Sequence, residues 1–511
     1  MSQVLVIGYL MLLGLLSCYG VYRYCLLWLY YRVKSRRPIP PASLESWPTV
    51  TIQIPVYNER YVVERAIRSA CEVDYPQDRL EIQLLDDSTD DTSAVIARTL
   101  TAYRRQGLKV LHLRRENRAG FKAGALAEGL KHATSELIAV FDVDFIIPRD
   151  FLTRTAPFFA DPKVGMVQAR WGHVNANYSL LTQAQAVFLD GHFAIEQVAR
   201  HRAGRFFNFN GTAGIWRRDA ITSSGGWQPD TLTEDLDLSY RAQLAGWRGV
   251  FLWDLMASAE LPVEMNAFKT QQYRWTKGSI QTAKKLLLRL LTSCLPWRIK
   301  AEAFFHLTSF FIYPLGLLAS LGMLPLFTVA FQVPHRWYVD LVWLLLLVLP
   351  GACFYLSAQR ELYPNWQTRL ALIAWVVAVG AGLLVNNTRA VLDGLLGRDL
   401  VFIRTTKFGI QAKADRWRHK RYRAPRTHLA WVELGLAGYF VLCCLVAFER
   451  RLVLALPTAA LFALGFAYVG GLSVLQAGLT RRRVRLQTAG LESRWIQRWI
   501  RSARSLSRQS L

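Results

Sequence analysis

The sequence predicts an α/β domain with a mixed, mostly parallel sheet, joined to an α-helical bundle of membrane-spanning segments. Strand and helix signals alternate through residues 48–265. Long apolar segments lie on both sides of that region, and each is long enough to cross a bilayer. Of the 511 residues, 52% are hydrophobic and the mean hydropathy is positive, which is too apolar for an ordinary soluble enzyme.

The charge and cysteine patterns narrow the class of protein. The formal net charge is +25, but much of the excess lies beside apolar spans, at 32–37, 404–423 and 481–485. This is the positive-inside pattern, so the sequence predicts the lipid bilayer, and not nucleic acid, as the partner of these residues. The seven cysteines form no CxxC pair and lie mostly in apolar runs, which is typical of small hydrophobic side chains in a reducing environment.

The apolar segments divide the chain. The first, 4–31, lacks a cleavage-like site of small residues, so the sequence predicts a retained anchor and not a signal peptide. Further spans are predicted near 303–331, 339–358, 369–386, 429–448 and 452–476. The predicted regions are an anchor at 1–37, a cytosolic domain at 48–265, an interfacial helix region at 266–298, membrane segments at 299–388, a basic cytosolic loop at 389–427, a membrane hairpin at 428–480 and a basic tail at 481–511.

The predicted topology contains one conflict. The basic flanks place the domain and the loop 389–427 on the same side of the membrane, whereas three crossings between them would place them on opposite sides. One segment is therefore re-entrant or split, or one basic flank is misleading. Pro314 and Pro325 favour irregular geometry in 303–331, because proline interrupts helical hydrogen bonding.

Polar residues follow the first two predicted strands. The strand 50–54 leads through Pro55 to a helix beginning near Glu59, and the strand 80–85 delivers Asp86 and Asp87. The next turn, 88–92, is rich in residues that cap helices. Ligands of open α/β sheets bind beyond the carboxyl ends of the strands, so these side chains are expected in one crevice. A simple turn is the alternative at each position.

A metal site and a phosphate contact are predicted next. Asp142 and Asp144 follow the strand 137–141, and alternate residues of an extended segment point the same way, so both carboxylates can reach one divalent cation. Hard oxygen ligands suit Mg²⁺ or Mn²⁺, which can bridge a diphosphate. Lys122, between two glycines, is a candidate phosphate contact. The alternatives are a solvated loop for the aspartates and an exposed helix start for Lys122.

Two helical motifs complete the set. Thr231 and Glu234 have the spacing of a capping box, and Asp235 in the same helical turn is either part of a cap or a base for an attacking hydroxyl. Gly246 is the expected end of that helix. A later helix carries a polar stripe that an ordinary amphipathic helix would not explain. It consists of Gln271, Arg274 and Trp275, which suit phosphate and a sugar ring, beside Lys269, Lys277, Lys284 and Lys285.

Together these motifs carry a resemblance. Asp87, Asp142-x-Asp144, Thr233-Glu-Asp235 and Gln271-x-x-Arg274-Trp275 resemble the D, DxD, TED and QxxRW signature of processive family 2 glycosyltransferases, which include cellulose, chitin and hyaluronan synthases. The likeness is closer to the cellulose-synthase-like branch of plant glucomannan and xyloglucan-backbone synthases and their bacterial relatives. It is dense over about 48–290 and extends through 167–175, 207–214 and 260–262.

The resemblance implies a GT-A domain and a role for each motif. Nucleotide-sugar binding falls to Pro55, Tyr57, Glu59, Asp86, Asp87, Lys122, Asp142, Gln271 and Arg274. The resemblance further implies Mg²⁺ or Mn²⁺ at Asp142 and Asp144, Asp235 as the base, and Trp275 and Glu234 at the acceptor. A gating loop is implied at Phe402, Thr405 and Lys407, with Arg404 where that motif has valine.

The predicted activity is an inverting transfer of a hexose from UDP-glucose or GDP-mannose to a growing β-linked polysaccharide, coupled to its translocation, and β-1,4 is the expected linkage. The UDP sugar is slightly favoured. One alternative is a single transfer to a lipid acceptor, as in ceramide glucosyltransferases, and another is an inactive transport or scaffold subunit. An accessory subunit or homo-oligomer, and a bacterial plasma membrane, complete the expectations.

Overall fold

The computed structural model describes residues 2–41, 44–329, 344–397, 402–425, 427–453 and 455–478. One seven-stranded sheet forms the centre of the α/β domain, with the strand order β3-β2-β1-β4-β6-β5-β7. The strands are β1 Val50–Val56, β2 Leu80–Asp86, β3 Lys109–Arg114, β4 Leu137–Val140, β5 Val164–His173, β6 Gly214–Arg217 and β7 Arg248–Ala259.

The sheet is mixed and mostly parallel, as predicted. β1 pairs in parallel with β2 and β4, β2 with β3, and β5 with β7, whereas β6 is antiparallel to β4 and β5. The three predicted strands are confirmed, but the segment 137–141 is the fourth strand of the chain because β3 precedes it. β3 lies at the sheet edge and is only partly buried, so it lacks the apolar run that marks β1 and β2.

The register of the central strands brings their carboxyl ends to one edge. Val56 of β1 lies opposite Asp86 of β2, and Gln53 of β1 lies opposite Val140 of β4. The residues that follow these strands are therefore neighbours in space, although they are separated in the chain. This edge is where an open α/β sheet places its ligand site.

Short helices cover both faces of the sheet. The helix after β1 begins at Val63, four residues later than Glu59, and a hydrogen-bonded turn precedes it, in which the Glu59 carbonyl oxygen accepts from the Val62 and Val63 amides at 3.1 Å each. The α helices of the domain are Val63–Cys71, Thr92–Arg105, Phe121–His132, Phe151–Thr155, Leu180–Gly191, Gln197–Arg202, Arg218–Ser223 and Glu234–Leu244, with a π turn at His192–Glu196 and 3-10 turns at Gln77–Arg79 and Ala156–Ala160.

The predicted capping box at Thr231 is wrong. The N-cap residue of the helix Glu234–Leu244 is Thr233, and its side chain makes no capping hydrogen bond. Packing fixes this helix start instead, since a Cβ on Gly278 of a later helix would lie 2.6 Å from the Thr233 side chain. The predicted helix end is confirmed, because the helix stops at Leu244 and Gly246 has a φ of +94°.

Outside this domain the described chain forms helices, and most of these helices are apolar. They are Ser2–Val33, Met265–Thr292, Trp297–Thr308, Ile312–Leu321, Met323–Val329, Leu349–Leu362, Leu370–Gly382, Leu384–Leu395, Leu429–Glu449 and Ala455–Gly478. Among the described residues, four segments are long and apolar enough to cross a membrane, and a bent pair is a fifth if it counts as one span. The four segments are Ile7–Val33, Trp297–Leu321, Leu429–Glu449 and Ala455–Gly478.

Two apolar segments are irregular, and one of them is the segment that the prolines indicate. Trp297–Leu321 is long and apolar enough for one span, but a 3-10 turn at Ser309–Phe311 interrupts its α-helix just before Pro314, and the next helix, Met323–Val329, contains Pro325. In addition, Trp366–Gly382 and Leu384–Leu395 meet at a bend of 49°. The predicted span 339–358 lies partly, and the tail 481–511 wholly, outside the described residues.

Candidate active site

A cavity at the carboxyl edge of the sheet gathers all but one of the predicted site residues. It lies between the strand ends, the helix Met265–Thr292 and the segment 402–407. The predicted residues in its wall are Pro55, Tyr57, Glu59, Asp87, Lys122, Asp142, Asp144, Glu234, Asp235, Gln271, Arg274, Trp275, Phe402, Thr405 and Lys407.

Asp86 is the exception. Its side chain is buried behind the cavity wall, where one oxygen accepts from the Ser88 amide at 2.9 Å and the other from the Ser93 hydroxyl at 2.6 Å and the His112 ring at 2.8 Å. These hydrogen bonds hold the pKa of Asp86 below its usual value although burial opposes them. Asp86 therefore fixes the end of β2, and its predicted contact with a nucleotide has no support in the geometry.

Asp87 and Tyr57 are each held by an arginine that the sequence did not single out. Arg115 makes a bidentate contact with Asp87, from Nε to Oδ1 at 2.8 Å and from Nη2 to Oδ2 at 2.5 Å. Arg118 lies over the Tyr57 ring, with its guanidinium carbon 3.4 Å from the ring centre. Arg118 lines the cavity and Arg115 does not, so Arg115 acts on the cavity only through Asp87.

Each aspartate of the DxD motif contacts a lysine. Lys122 Nζ lies 2.6 Å from Asp142 Oδ1, and Lys407 Nζ lies 2.7 Å from Asp144 Oδ2. Lys122 also donates to the Gly211 carbonyl at 2.8 Å, so it is not the exposed helix start of the alternative interpretation. The negative charges of Asp142 and Asp144 are thus balanced by side chains of this chain.

The donor set fits a divalent cation held jointly with a substrate. Two carboxylates in one cavity are the protein share of ligands that Mg²⁺ takes when diphosphate oxygens and water supply the rest. The described residues contain no group of three or more His, Cys, Asp or Glu side chains arranged around a metal position. Asp142 and Asp144 would therefore hold a divalent cation together with oxygens from a bound diphosphate.

Asp235 faces the same cavity from the first turn of its helix. Burial and the neighbouring Glu234 charge raise the pKa of Asp235 to about 7, although Lys122 opposes this shift. Gly211, with a φ of +79°, lies directly against the carboxylate, and a Cβ there would come within 2.7 Å of Asp235 Oδ2. Position 211 therefore needs glycine both for its backbone and for the space that it leaves beside Asp235.

The helix Met265–Thr292 supplies the opposite wall. The Arg274 guanidinium lies 4.5 Å from the centre of the Phe402 ring, and its Nη2 lies 3.5 Å from Thr405 Oγ1. Burial lowers the pKa of Arg274, and the Glu234, Asp142 and Asp235 carboxylates oppose that shift. A guanidinium that faces these acidic groups can also receive phosphate oxygens.

Glu260 fixes the segment 402–409 over the cavity. Its carboxylate accepts from the Phe408 amide at 2.9 Å and from the Gly409 amide at 2.7 Å, and its carbonyl accepts from Lys407 at 2.5 Å. Arg404 pairs with Glu59 at 2.7 Å, yet burial raises the pKa of Glu59 to about 8. The sequence marked Glu260 only as part of a resemblance, because its partners lie almost 150 residues away.

Past Asp235, the cavity continues between the apolar helices. A second cavity shares Trp171, Asn210, Asp235 and Trp275 with the first and reaches Arg23. A third, almost entirely apolar cavity shares Arg23, Tyr313 and Tyr355 with the second. The three cavities form a series from the strand ends into the helical bundle.

A polar chain orders one wall of the second cavity. Asn210 Oδ1 accepts from Gln197 Nε2 at 2.6 Å, so its amide nitrogen faces His192 Nε2 at 2.9 Å. An amide nitrogen only donates, so His192 accepts at Nε2 and donates from Nδ1 to Glu196, 3.0 Å away. The orientation of the Asn210 amide beside Asp235 is therefore set by residues that the sequence did not mark.

Comparison with known proteins agrees with this geometry. Residues 48–278 match the family described as "Glycosyltransferase like family 2". A probable glucomannan 4-beta-mannosyltransferase 9 from Oryza sativa subsp. japonica is 35% identical over 452 residues, which cover 83% of this chain and 82% of that protein. The chain belongs to glycosyltransferase family 2. Glucomannan 4-beta-mannosyltransferase 7 from Arabidopsis thaliana is 34% identical, over 86% of this chain and 80% of that protein.

A solved structure supports the fold of this family 2 glycosyltransferase. Mannosyltransferase PcManGT from Pyrobaculum calidifontis, determined in complex with GDP-Man and Mn²⁺, matches with a TM-score of 0.50 and 22% identity. The match covers 75% of this chain and all of that chain. The predicted GT-A domain and the predicted membership of the cellulose-synthase-like glycosyltransferases are confirmed, and the chain is a hexosyltransferase.

Proposed function

We propose that this enzyme transfers mannose from GDP-mannose to the growing end of a β-1,4-linked mannan or glucomannan. The observation that carries the proposal is the single cavity in which Asp87, the DxD pair, Asp235 and the Gln271–Trp275 stripe meet. The relatives named as glucomannan 4-beta-mannosyltransferases favour GDP-mannose over the UDP sugar that the sequence slightly favoured. The choice of GDP-mannose as donor rests on these relatives and not on contacts to the nucleoside.

Asp235 is proposed as the general base. In its ionised form it takes the proton from an acceptor hydroxyl, whose oxygen then attacks the anomeric carbon of the donor as the bond to the diphosphate breaks. One displacement inverts the configuration, so an α-linked donor gives a β-linked product. A pKa of about 7 suits a base that works near neutral pH.

The departing diphosphate needs positive charge beside it in the cavity. Asp142 and Asp144 would hold the divalent cation, which neutralises the leaving group when bound. Lys122 and Arg274 face the same space from two different helices, so they are placed to receive phosphate oxygens. Asp87, fixed by Arg115, is proposed to bind the nucleoside part of the donor.

Repeated transfer with passage of the product between the helices is proposed from the series of cavities. Trp275 lies where the first cavity meets the second, and its indole suits the apolar face of a sugar ring. The shared residues Arg23, Tyr313 and Tyr355 continue the path toward the apolar helices. A single transfer to a lipid would use the same catalytic groups but would not need this path.

The test is transfer by the purified protein in lipid nanodiscs, with radiolabelled GDP-mannose and UDP-glucose offered separately and with Mn²⁺ or Mg²⁺. The expected result is label from GDP-mannose in a polymer that a β-1,4-mannanase degrades. Label only in the lipid extract would replace the proposal with a single-sugar transferase. Transfer from UDP-glucose alone would replace the donor, and binding of either donor without transfer would favour a missing accessory subunit or an inactive scaffold.

We propose that the enzyme is an integral membrane protein. The described chain has apolar helices that could cross a membrane. The bacterial plasma membrane stays a prediction, and the relatives named above come from two plants.

A further inference from the structure

A groove on the outside of the helical bundle, away from the catalytic cavity, combines an apolar wall with arginines. It lies between the first helix, Ser2–Val33, and the helix Trp297–Thr308, and its volume is about 820 Å³. That volume is within the range of about 300–1,000 Å³ that is typical of small-molecule sites. The apolar wall includes Gly14, Cys18, Val21, Cys25, Leu29 and Phe305.

Four arginines from separate parts of the chain line this groove. Arg32 lies in the last turn of the first helix and Arg36 directly after it, Arg205 follows the helix Gln197–Arg202, and Arg298 lies in the first turn of Trp297–Thr308. Among the described residues, none of the four lies within salt-bridge distance of a carboxylate. A basic run in the sequence explains Arg32 and Arg36, but it does not explain why Arg205 and Arg298 line the same groove.

The one carboxylate in the groove wall is already engaged. Glu302 Oε1 accepts from the Tyr22 hydroxyl at 2.6 Å and from Arg200 Nε at 3.0 Å. Arg200 also donates to the Tyr22 oxygen at 3.0 Å, which makes a closed buried triad at the groove floor. The charge that the groove presents at its mouth is therefore strongly positive.

Two exposed indoles indicate the depth at which the arginines of the groove lie in a membrane. The side chains of Trp28 and Trp297 are 62% and 72% exposed. The Arg32 guanidinium lies 5.2 Å from the Trp28 ring centre, and that of Arg298 lies 5.8 Å from the Trp297 ring centre. Tryptophan and arginine together are typical of the lipid headgroup region, which places the four arginines at phosphate depth.

We propose that this groove binds an anionic phospholipid from the cytoplasmic leaflet. Its phosphate and acidic headgroup lie among Arg32, Arg36, Arg205 and Arg298, and its acyl chains lie along the small side chains of the first helix, from Cys25 toward Gly14. Guanidinium groups bind phosphate oxygens in bidentate fashion. An anionic lipid neutralises the four arginines better than a zwitterionic lipid does, because the headgroup of a zwitterionic lipid carries a cation of its own. A transmembrane helix of a partner could pack on the same small residues, but it would leave the arginines without counter-charge.

The test is native mass spectrometry of the full-length protein in detergent, titrated with phosphatidylglycerol or phosphatidylcholine. The proposal predicts tighter binding of phosphatidylglycerol. The double variant Arg205→Gln/Arg298→Gln should lose about 30-fold of that affinity, at about fivefold for each arginine. Arg32 and Arg36 are left unchanged because they flank the first span and help to set its orientation.

The matched control is Arg98→Gln/Arg105→Gln, which removes the same charge from two exposed positions on the helix Thr92–Arg105. This control should bind phosphatidylglycerol like the unaltered protein. Equal binding of the two lipids, or an unchanged lipid preference in Arg205→Gln/Arg298→Gln, would overturn the proposal. A second polypeptide cross-linked to Cys18 or Cys25 in native membranes would also overturn it, in favour of a protein partner. Retained donor binding shows that each variant is folded.

Discussion

Lys407 and Asp144 form an ion pair across 263 residues of chain, with Nζ 2.7 Å from Oδ2. The contact ties the segment 402–409 to the second aspartate of the DxD motif. The ammonium group of Lys407 therefore occupies a position beside Asp144 where a metal ion is proposed to bind. The contact of this segment with Asp144 and the proposed metal binding consequently draw on the same carboxylate.

Removal of that lysine should strengthen metal binding in the absence of a donor. We expect Lys407→Ala to raise the affinity for Mn²⁺ by roughly 10- to 100-fold, because a hydrogen bond to a charged group, worth about 1.5–3 kcal/mol, no longer competes for Asp144. Titration of Mn²⁺ followed by electron paramagnetic resonance measures this directly. Lys413→Ala, at an exposed position of the same loop, should leave the affinity unchanged. Weaker binding in Lys407→Ala would show that the lysine supports the metal.

The pH dependence of transfer should follow Asp235. Because the base must be ionised and its pKa is raised to about 7, kcat/KM should rise with pH below that value and level off above it. Glu234→Gln removes the adjacent negative charge that contributes to the shift, so the midpoint should move to lower pH. The measurement is kcat/KM as a function of pH for the unaltered protein and for Glu234→Gln. A midpoint that moves to higher pH in Glu234→Gln would exclude Asp235 as the titrating base.

Arg115 should affect donor binding and not the chemical step. Without its bidentate contact, Asp87 loses its fixed position, so Arg115→Ala is expected to raise KM for the donor about tenfold with little change in kcat. Steady-state kinetics measure both constants. Arg114→Ala is the control for lost charge, because Arg114 is largely exposed and lies 3.7 Å from Asp86. A fall in kcat alone would contradict the proposed role of Asp87.

A buried ion pair joins the helix Met265–Thr292 to the helix Leu429–Glu449. Lys269 Nζ lies 2.6 Å from Glu433 Oε1, and both side chains are almost inaccessible. Lys269→Ala should destabilise the protein by about 3–5 kcal/mol because it leaves Glu433 without a partner, whereas Lys269→Met/Glu433→Leu should be nearly neutral. Thermal unfolding in detergent compares them. The exposed pair Lys131–Glu128 is the reference, and Lys131→Ala should cost about 0–1 kcal/mol. An equal effect of Lys269→Ala and Lys131→Ala would contradict the argument.

The strand ends were predictable from the sequence because their signals are local. An apolar run that stops at Asp86 or just before Asp142 marks both a buried strand and its carboxyl end, and parallel pairing then brings such ends together. Asp235 was predictable as a candidate because its helix start is a local feature too. Its role as base or cap was not, since that depends on burial and on the neighbouring Gly211 backbone.

The contacts across long loops were not predictable. Glu260 and Arg404 look like ordinary surface charges in the sequence, and only the folded chain places Glu260 against Phe408 and Arg404 against Glu59. The edge strand β3 escaped prediction because its partly exposed residues lack a continuous apolar run. The bend of 49° between Trp366–Gly382 and Leu384–Leu395 was not predictable either, because no proline marks it.

The most direct test of the account is mannosyl transfer by Asp235→Asn. Asparagine keeps the size of the side chain but cannot take the acceptor proton, so the rate should fall by about 10²–10⁴-fold while donor affinity changes less than about twofold. Asp219→Asn, an exposed aspartate of the same domain, should transfer at the normal rate. Transfer by Asp235→Asn at a rate close to that of the unaltered protein would contradict the assignment of Asp235 as the base.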